Sequence, residues 1–156
     1  MAAYRLKQQL VNNMSEQTSQ SERDEFREYC QRWLEENRPP PTKIPLPQNA
    51  YEVTFHDHRT YLCDWQAKCY EAQLIGTDVP QDYGGHGHTE FQAIASAEVR
   101  KANVPYFINW IGLGMTAPTL LIHGTEEQKK RFLPPIFSAE EIWCQGFSEP
   151  GAGSDL

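Results

Sequence analysis

An all-α domain, closed by one short terminal β segment, is what this sequence predicts, and three observations predict it. Phe26, Tyr29, Cys30, Trp33 and Leu34 fall at i, i+3, i+4, i+7 and i+8, the stripe of a helix that buries one face. Thr89-x-x-Gln92 and Thr125-x-x-Gln128 have the form of capping boxes, which mark helix starts. Strand character is confined to Ile142–Phe147, a β-branched and aromatic run of strand length. Ser148-Glu149-Pro150 then stops it, because proline has no N–H for a ladder.

Composition bounds the function classes. At 156 residues, 39% hydrophobic and 22% charged, the chain is long enough for a core and globular in character. A formal net charge of −7 argues against non-specific nucleic-acid binding, which needs a basic surface. No apolar run reaches the length of a membrane span. Cys30, Cys63, Cys69 and Cys144 form no C-x-x-C pair. Each sits at an apolar position of its segment, so reduced, buried thiols in an intracellular, cytoplasmic protein are expected. The first fourteen residues carry Arg5 and Lys7 and no acid. This slightly resembles a transit peptide, which keeps a mitochondrial setting open, but without a run of arginines a loose arm over residues 1–20 is preferred.

In order, the first helix is expected over 21–37, with Ser21 as N-cap and acids in the first turn; Arg38 before Pro39-Pro40-Pro41 ends it. Five prolines between 39 and 53 predict an extended connector free of helix. Tyr61, Leu62, Trp65, Cys69 and Ala72 make the stripe of a second helix over 57–74, with Thr54 or Asp57 as cap. His56-Asp57-His58 invites a metal reading, but side chains two apart on a helix diverge and no second cluster completes a ligand set; no metal is assigned. Gly76–His88 is a loop whose Gly84, Gly85 and Gly87 mark tight turns. His86 and His88 lack a nucleophile or carboxylate at readable spacing, and a structural role is preferred.

A third helix is expected over 89–103, its stripe rich in alanine, with Pro105 ending it or opening the next. Tyr106–His123 is almost wholly apolar, which predicts a helix over 106–123 buried on all faces, kinked or restarted at Pro118. Gly124 suits a helix C′ position. A short helix over 125–132 follows, closed by Leu133-Pro134-Pro135, with Lys129, Lys130 and Arg131 at its end to complement the dipole. A basic site for phosphate groups is the alternative for those cations. Trp33, Trp65 and Trp110 are expected to be largely buried.

The chemistry-bearing stretch is the last. After the strand comes Gly151-Ala152-Gly153-Ser154-Asp155-Leu156. Small residues let a backbone approach a ligand, successive N–H groups in such a turn attract anions, and Ser148 and Ser154 add hydroxyls. Such turns are mostly only turns, and neither a Walker loop nor the G-x-G-x-x-G fingerprint is present.

Phe147-Ser-Glu-Pro-Gly-Ala-Gly-Ser-Asp155 resembles the signature of the acyl-CoA dehydrogenase family of flavoenzymes. Three further stretches match that family in order: Pro80-x-x-Tyr83-Gly84-Gly85-x-Gly87, Gly124-Thr125-x-x-Gln128-Lys129, and Leu133-Pro134 ahead of Ile142. The resemblance runs from about Phe26 to the end. It implies an amino-terminal arm over 1–20, the family's amino-terminal helical domain over 21–140, and the start of its central β-domain over 141–156. It also implies FAD as cofactor, an acyl-CoA substrate, an electron-transfer acceptor and a homo-oligomeric whole protein. By alignment with the signature, Gln145, Gly146, Phe147, Ser148, Gly153 and Ser154 would contact the flavin. Ser148 stands where a hydroxyl residue, usually threonine, bonds the flavin ring, and Ser154 would also lie near the coenzyme A moiety. Gln145 stands where many members have an aromatic or other residue. The helices over 106–123 would help wall the acyl pocket.

The reaction so implied is α,β-dehydrogenation of an acyl-CoA thioester, the organic chemistry belonging to the cofactor. The family's catalytic glutamate lies in a carboxyl-terminal helical domain, so the base is expected beyond Leu156. No residue of this chain is assigned to that role, and Glu141 and Glu149 are not promoted. An acyl-CoA oxidase or related flavoenzyme on the same scaffold, and a non-enzymatic helical interaction domain derived from it, are the alternatives. A reading frame that continues past Leu156 into a second helical bundle favours the enzyme, and a natural stop at Leu156 favours the interaction domain.

Overall fold

The structure, a computed structural model, describes residues 20–88 and 90–146. The arm expected over 1–20 lies outside these except for Gln20, as does Thr89. Five α-helices carry the described fold: α1 (Gln20–Glu36), α2 (His56–Glu71), α3 (Phe91–Lys101), α4 (Ala117–His123) and α5 (Glu126–Ser138). No strand occurs among the described residues.

α1 packs on α3, and α2 on α5, which also takes α4. Phe26, Cys30 and Leu34 of α1 enter the core one helical turn apart, meeting Trp65 and Cys69 of α2, Ala95 of α3, and Leu133, Ile136 and Phe137 of α5. Phe26 stacks on Phe91 with ring centroids 4.3 Å apart. Trp65 is buried and its indole donates to the Pro105 carbonyl at 2.9 Å. Trp33 is half-buried against the same core, its ring 5.9 Å from that of Trp65. Across the α1–α3 contact Glu98 is only 4% exposed. It accepts from Gln31 of α1 and from Lys101 at 3.0 and 2.7 Å, and these partners compensate the cost of burying its charge.

Several expectations are corrected. Ser21 lies inside α1 and donates to Glu25 instead of capping. The proline-rich connector admits one 3₁₀ turn, Ala50–Glu52, because Asn49 caps it by accepting from the Tyr51 N–H. α2 begins after Phe55 with no side-chain cap, so neither Thr54 nor Asp57 has that role. Glu90, in the left-handed region, precedes α3, and Gln92 commits its amide to the preceding loop: Oε1 accepts from the Thr77 N–H and Nε2 donates to the Leu74 carbonyl. Gly124 is extended (φ −70, ψ 150), not a left-handed C′ residue; a Cβ there would lie 2.6 Å from the Leu120 carbonyl oxygen, so space selects glycine. Thr125 and Gln128 form the full capping box expected of them.

The largest departure is α5, which runs through Pro134 and Pro135 to Ser138. Two prolines remove the N–H groups that would reach the carbonyls of Lys130 and Arg131, at roughly 3 kcal/mol for an interior proline. Both of those residues are exposed, where water can take their carbonyls. On the opposite face Leu133, Ile136 and Phe137 are buried, each contributing about 1.5–3 kcal/mol. Burial thus outweighs proline's local veto. Lys129, Lys130 and Arg131 consequently sit mid-helix.

The glycine loop is built as a tight knot. Gly84 has φ 79, and its carbonyl accepts from the Tyr70 hydroxyl at 2.6 Å. At Gly85 a Cβ would fall 2.0 Å from the Val79 carbonyl oxygen. His86 Nε2 lies 3.1 Å from the Tyr70 carbonyl, a contact that ties the loop to α2, and burial lowers its pKa.

Candidate functional site

An apolar groove of about 640 Å³ opens between the loop that follows α2, helix α3 and the segment leading into and through α4. Ile75, Gly76 and Val79 line it together with Phe107, Trp110, Leu113, Gly114, Ala117 and Leu121, and with Phe137 of α5. Its size is that of a small-molecule pocket. The wall has its shape because Tyr106–His123 is not one regular helix. Residues 104–107 are irregular, and Gly112–Thr116 winds as a π-turn in which the Ala117 N–H reaches the Gly112 carbonyl. Single π-turns inside α-helices are frequent at functional sites. Gly114 faces open space, with nothing within 4 Å of a Cβ placed there. Polar groups are few: Asp78, Gln92, Ser96 and Tyr106 also line the groove, and Gln92 Nε2 is 3.2 Å from Ser96 Oγ, which ties this pair to the wall.

This segment is therefore not buried on all faces. Trp110 is 42% exposed, Met115 46% and Ile122 73%. Trp110 stands between the groove and a second hollow of about 440 Å³ that Ile108, Ile111, Ile142, Trp143 and Cys144 also line, packing edge-on against Tyr51 at 5.0 Å.

The second hollow leads to the expected site segment. Residues 142–146 are not a strand, because no neighbouring strand among the described residues supplies a ladder. The Trp143 N–H instead donates to Asn109 Oδ1 at 2.9 Å, and its ring meets Phe132 edge-on at 5.5 Å. Cys144, Gln145 and Gly146 are exposed, so Cys144 departs from the buried state expected of all four thiols. Gly146 has nothing within 4 Å of a built Cβ. Phe147, Ser148, Gly153 and Ser154 lie outside the described residues. So does Leu156, the position beyond which the catalytic base is expected.

The other candidates resolve into structural roles. His58 is buried with Nε2 3.0 Å from the Ile44 carbonyl, and among the described residues no three His, Cys, Asp or Glu side chains gather for a metal. Lys129 pairs with Glu126 at 3.5 Å and lies 5.4 Å over the Tyr83 ring. Arg131 pairs with Glu141 at 2.6 Å. Burial pushes the Cys30 thiol up to about 12, with the Glu98 charge adding to it, and burial also raises Cys69; neither suits a nucleophile. No described helix is long and apolar enough to cross a membrane.

Sequence reasoning missed Gln66 and Asn109, two fully buried amides. Their signal was present: a glutamine between Trp65 and Cys69, and an asparagine inside an apolar run.

Comparison with known proteins accords with this architecture. Residues 20–140 match the family model described as acyl-CoA dehydrogenase, N-terminal domain. Acyl-CoA dehydrogenase IpdE1 of Mycobacterium tuberculosis is 35% identical over 138 residues, covering 85% of this chain and 34% of the relative. IpdE1 of Mycolicibacterium smegmatis is 43% identical over 93 residues, 59% of this chain and 24% of the relative. The crystal structure of the ChsE4-ChsE5 complex from Mycobacterium tuberculosis superimposes with a TM-score of 0.57 at 24% identity, covering 89% of this chain and 33% of that one; at that identity the likeness speaks to fold alone. The chain spans about a quarter to a third of the length of the IpdE1 relatives. With the family model matched over more than half its length, the chain belongs to the acyl-CoA dehydrogenase family and carries that family's amino-terminal helical domain.

Proposed function

We propose that this chain supplies the amino-terminal wall of the acyl site, and one edge of the flavin site, in an FAD-dependent enzyme that dehydrogenates an acyl-CoA thioester between its α and β carbons. The observation that carries this reading is the 640 Å³ apolar groove walled by the π-turn segment. An acyl chain laid against Leu113, Ala117, Leu121 and Phe137 would exclude water from the reacting carbons. On this reading residues 21–140 are the helical domain, and 141–156 open a β-domain in which Gln145, Gly146, Phe147, Ser148, Gly153 and Ser154 line the flavin, Ser154 also approaching coenzyme A. Bound FAD would supply the hydride acceptor. The proton-abstracting carboxylate comes from sequence beyond Leu156, as in the family. Exposed Met115 and Ile122 fit packing against further protein, including a second subunit of a cytoplasmic homo-oligomer that passes electrons to an acceptor protein.

The test compares the 156-residue chain with the full product of its gene. Each is purified with excess FAD, freed of unbound flavin, and assayed for flavin absorbance, dye-linked acyl-CoA dehydrogenation and hydrogen peroxide. The chain alone is expected to be colourless and inactive, and the full product to retain FAD and reduce the dye. Peroxide formation at the rate of turnover would move the assignment to an oxidase. A full product without flavin or turnover would leave the helical interaction domain as the reading.

A further inference from the structure

Resting on the reading that the segment from Gln145 onward meets the flavin, we propose that Asn109 is a positioning residue. Its single buried carboxamide fixes the start of the flavin-contact segment in register with the wall of the apolar groove.

Asn109 is fully buried and every polar atom of its side chain is engaged across the chain. Nδ2 donates to the Ile136 carbonyl at 3.0 Å and to the Glu141 carbonyl at 2.8 Å. Oδ1 accepts from the Trp143 N–H at 2.9 Å. The Asn109 backbone is itself anchored: its N–H donates to Gln66 Oε1 of α2 at 3.1 Å, while Gln66 Nε2 donates to the carbonyls of Ile136 and Phe137. The end of α5 has orphan carbonyls, as every helix end does, and the two amides take those of Ile136 and Phe137.

The placement links two sites. Phe107 and Trp110, two residues before and one after Asn109, line the groove, whereas Trp143 lies two residues before Gln145. A shift of the groove wall is thus conveyed to the 142–146 backbone through one rigid amide, and the reverse holds equally. Gly112 belongs to the same device, because a Cβ there would lie 2.4 Å from Asn109 Oδ1. A hydrophobic residue at 109 would fill the space, but only a carboxamide donates to two carbonyls while accepting from an amide. Reacting groups held by separate segments need such fixed relative placement, since a displacement of about 1 Å can cost on the order of a hundredfold in rate.

The experiment uses Asn109→Leu, which removes the amide, and Gly112→Ala, which displaces it while keeping every hydrogen-bonding group. Amide hydrogen exchange is read at Trp143 and residues 144–146 and, as a control, in α1. Roughly tenfold faster exchange at Trp143 is expected in both variants, with α1 changed less than about twofold. A merely structural role would raise exchange throughout in proportion to lost stability, and that pattern, or unchanged exchange at Trp143, overturns the proposal. Should Asn109→Leu not fold, Gly112→Ala decides alone. In the flavin-loaded full product the variants are expected to lower kcat about tenfold or more while KM for acyl-CoA stays within about twofold, and to alter the flavin absorbance envelope. A wild-type product that turns over, with variants of unchanged kcat and spectrum, sinks the positioning role and leaves the functional reading standing. A wild-type product that binds no flavin sinks the functional reading and the catalytic half of this proposal, while exchange at Trp143 still decides whether Asn109 holds the segment.

Discussion

The stripes of α1 and α2 and the run from Tyr106 to His123 are both apolar in sequence, yet they are used in opposite ways. Cys30, Leu34, Trp65 and Cys69 are at most 1% exposed, each covered by side chains from other helices. Trp110, Met115 and Ile122 are between 42% and 73% exposed. The first region has apolar residues on one face only and one partner surface for it. The second has more apolar surface than its neighbours can cover, and the excess lines a groove or faces outward. Apolar surface beyond what the core uses is a mark of ligand or partner contact.

Substitution of the two tryptophans tests that contrast with the largest expected effect. Trp65→Ala empties a site in the packed core and removes the bond to Pro105, at about 3–5 kcal/mol. Trp110→Ala, at a half-open surface, should cost roughly 1 kcal/mol or less in the same chain. Urea unfolding followed by far-ultraviolet circular dichroism measures both. Equal losses would erase the distinction between core and wall.

The glycines extend it with intermediate effects. Gly85→Ala drives a methyl into the Val79 carbonyl and should destabilise by about 1–3 kcal/mol. Gly114→Ala meets no atom and should stabilise by roughly 0.5–1 kcal/mol through the lower backbone entropy of alanine, while narrowing the groove. Thermal unfolding of the two variants should move in opposite directions.

A smaller effect belongs to the core side alone. The Lys101 ammonium, then Gln31 and Arg27, hold the Glu98 carboxyl below its ordinary 4.5 against the opposing effect of burial. A pKa depressed on folding contributes stability that is complete above the unfolded value and is lost as pH falls through the folded one. The melting temperature should therefore drop below about pH 4.5 more steeply in the wild type than in Glu98→Gln. Parallel profiles would show that the α1–α3 contact does not depend on this charge.

The smallest perturbation is thiol labelling. Cys144, exposed beside the second hollow, should react with a disulfide reagent first and half-buried Cys63 more slowly; Cys30 and Cys69, buried with raised pKa values, should react only on unfolding. Rapid labelling of Cys69 in the folded chain would contradict the packing of α2.

Much of the helical layout was legible because it is local. The α1 stripe, the Thr125–Gln128 capping box and the turns at Gly84 and Gly85 depend on residues within a few positions of one another, and the ordered motifs carried the family. What the tertiary structure decided was non-local. α5 crosses Pro134-Pro135 because Leu133, Ile136 and Phe137 find a core to fill, which no local rule for proline anticipates. Trp110 is half-exposed because burial depends on whether another surface arrives to cover it. Residues 142–146 make no strand because a ladder needs a neighbour, however suitable Ile142 and Trp143 are for one. Asn109 became visible as a junction only when the end of α5 and the Trp143 N–H were brought to its side chain. Periodicity and capping are written in the order of the residues, whereas burial and long-range hydrogen bonds depend on which distant segments come to share a site.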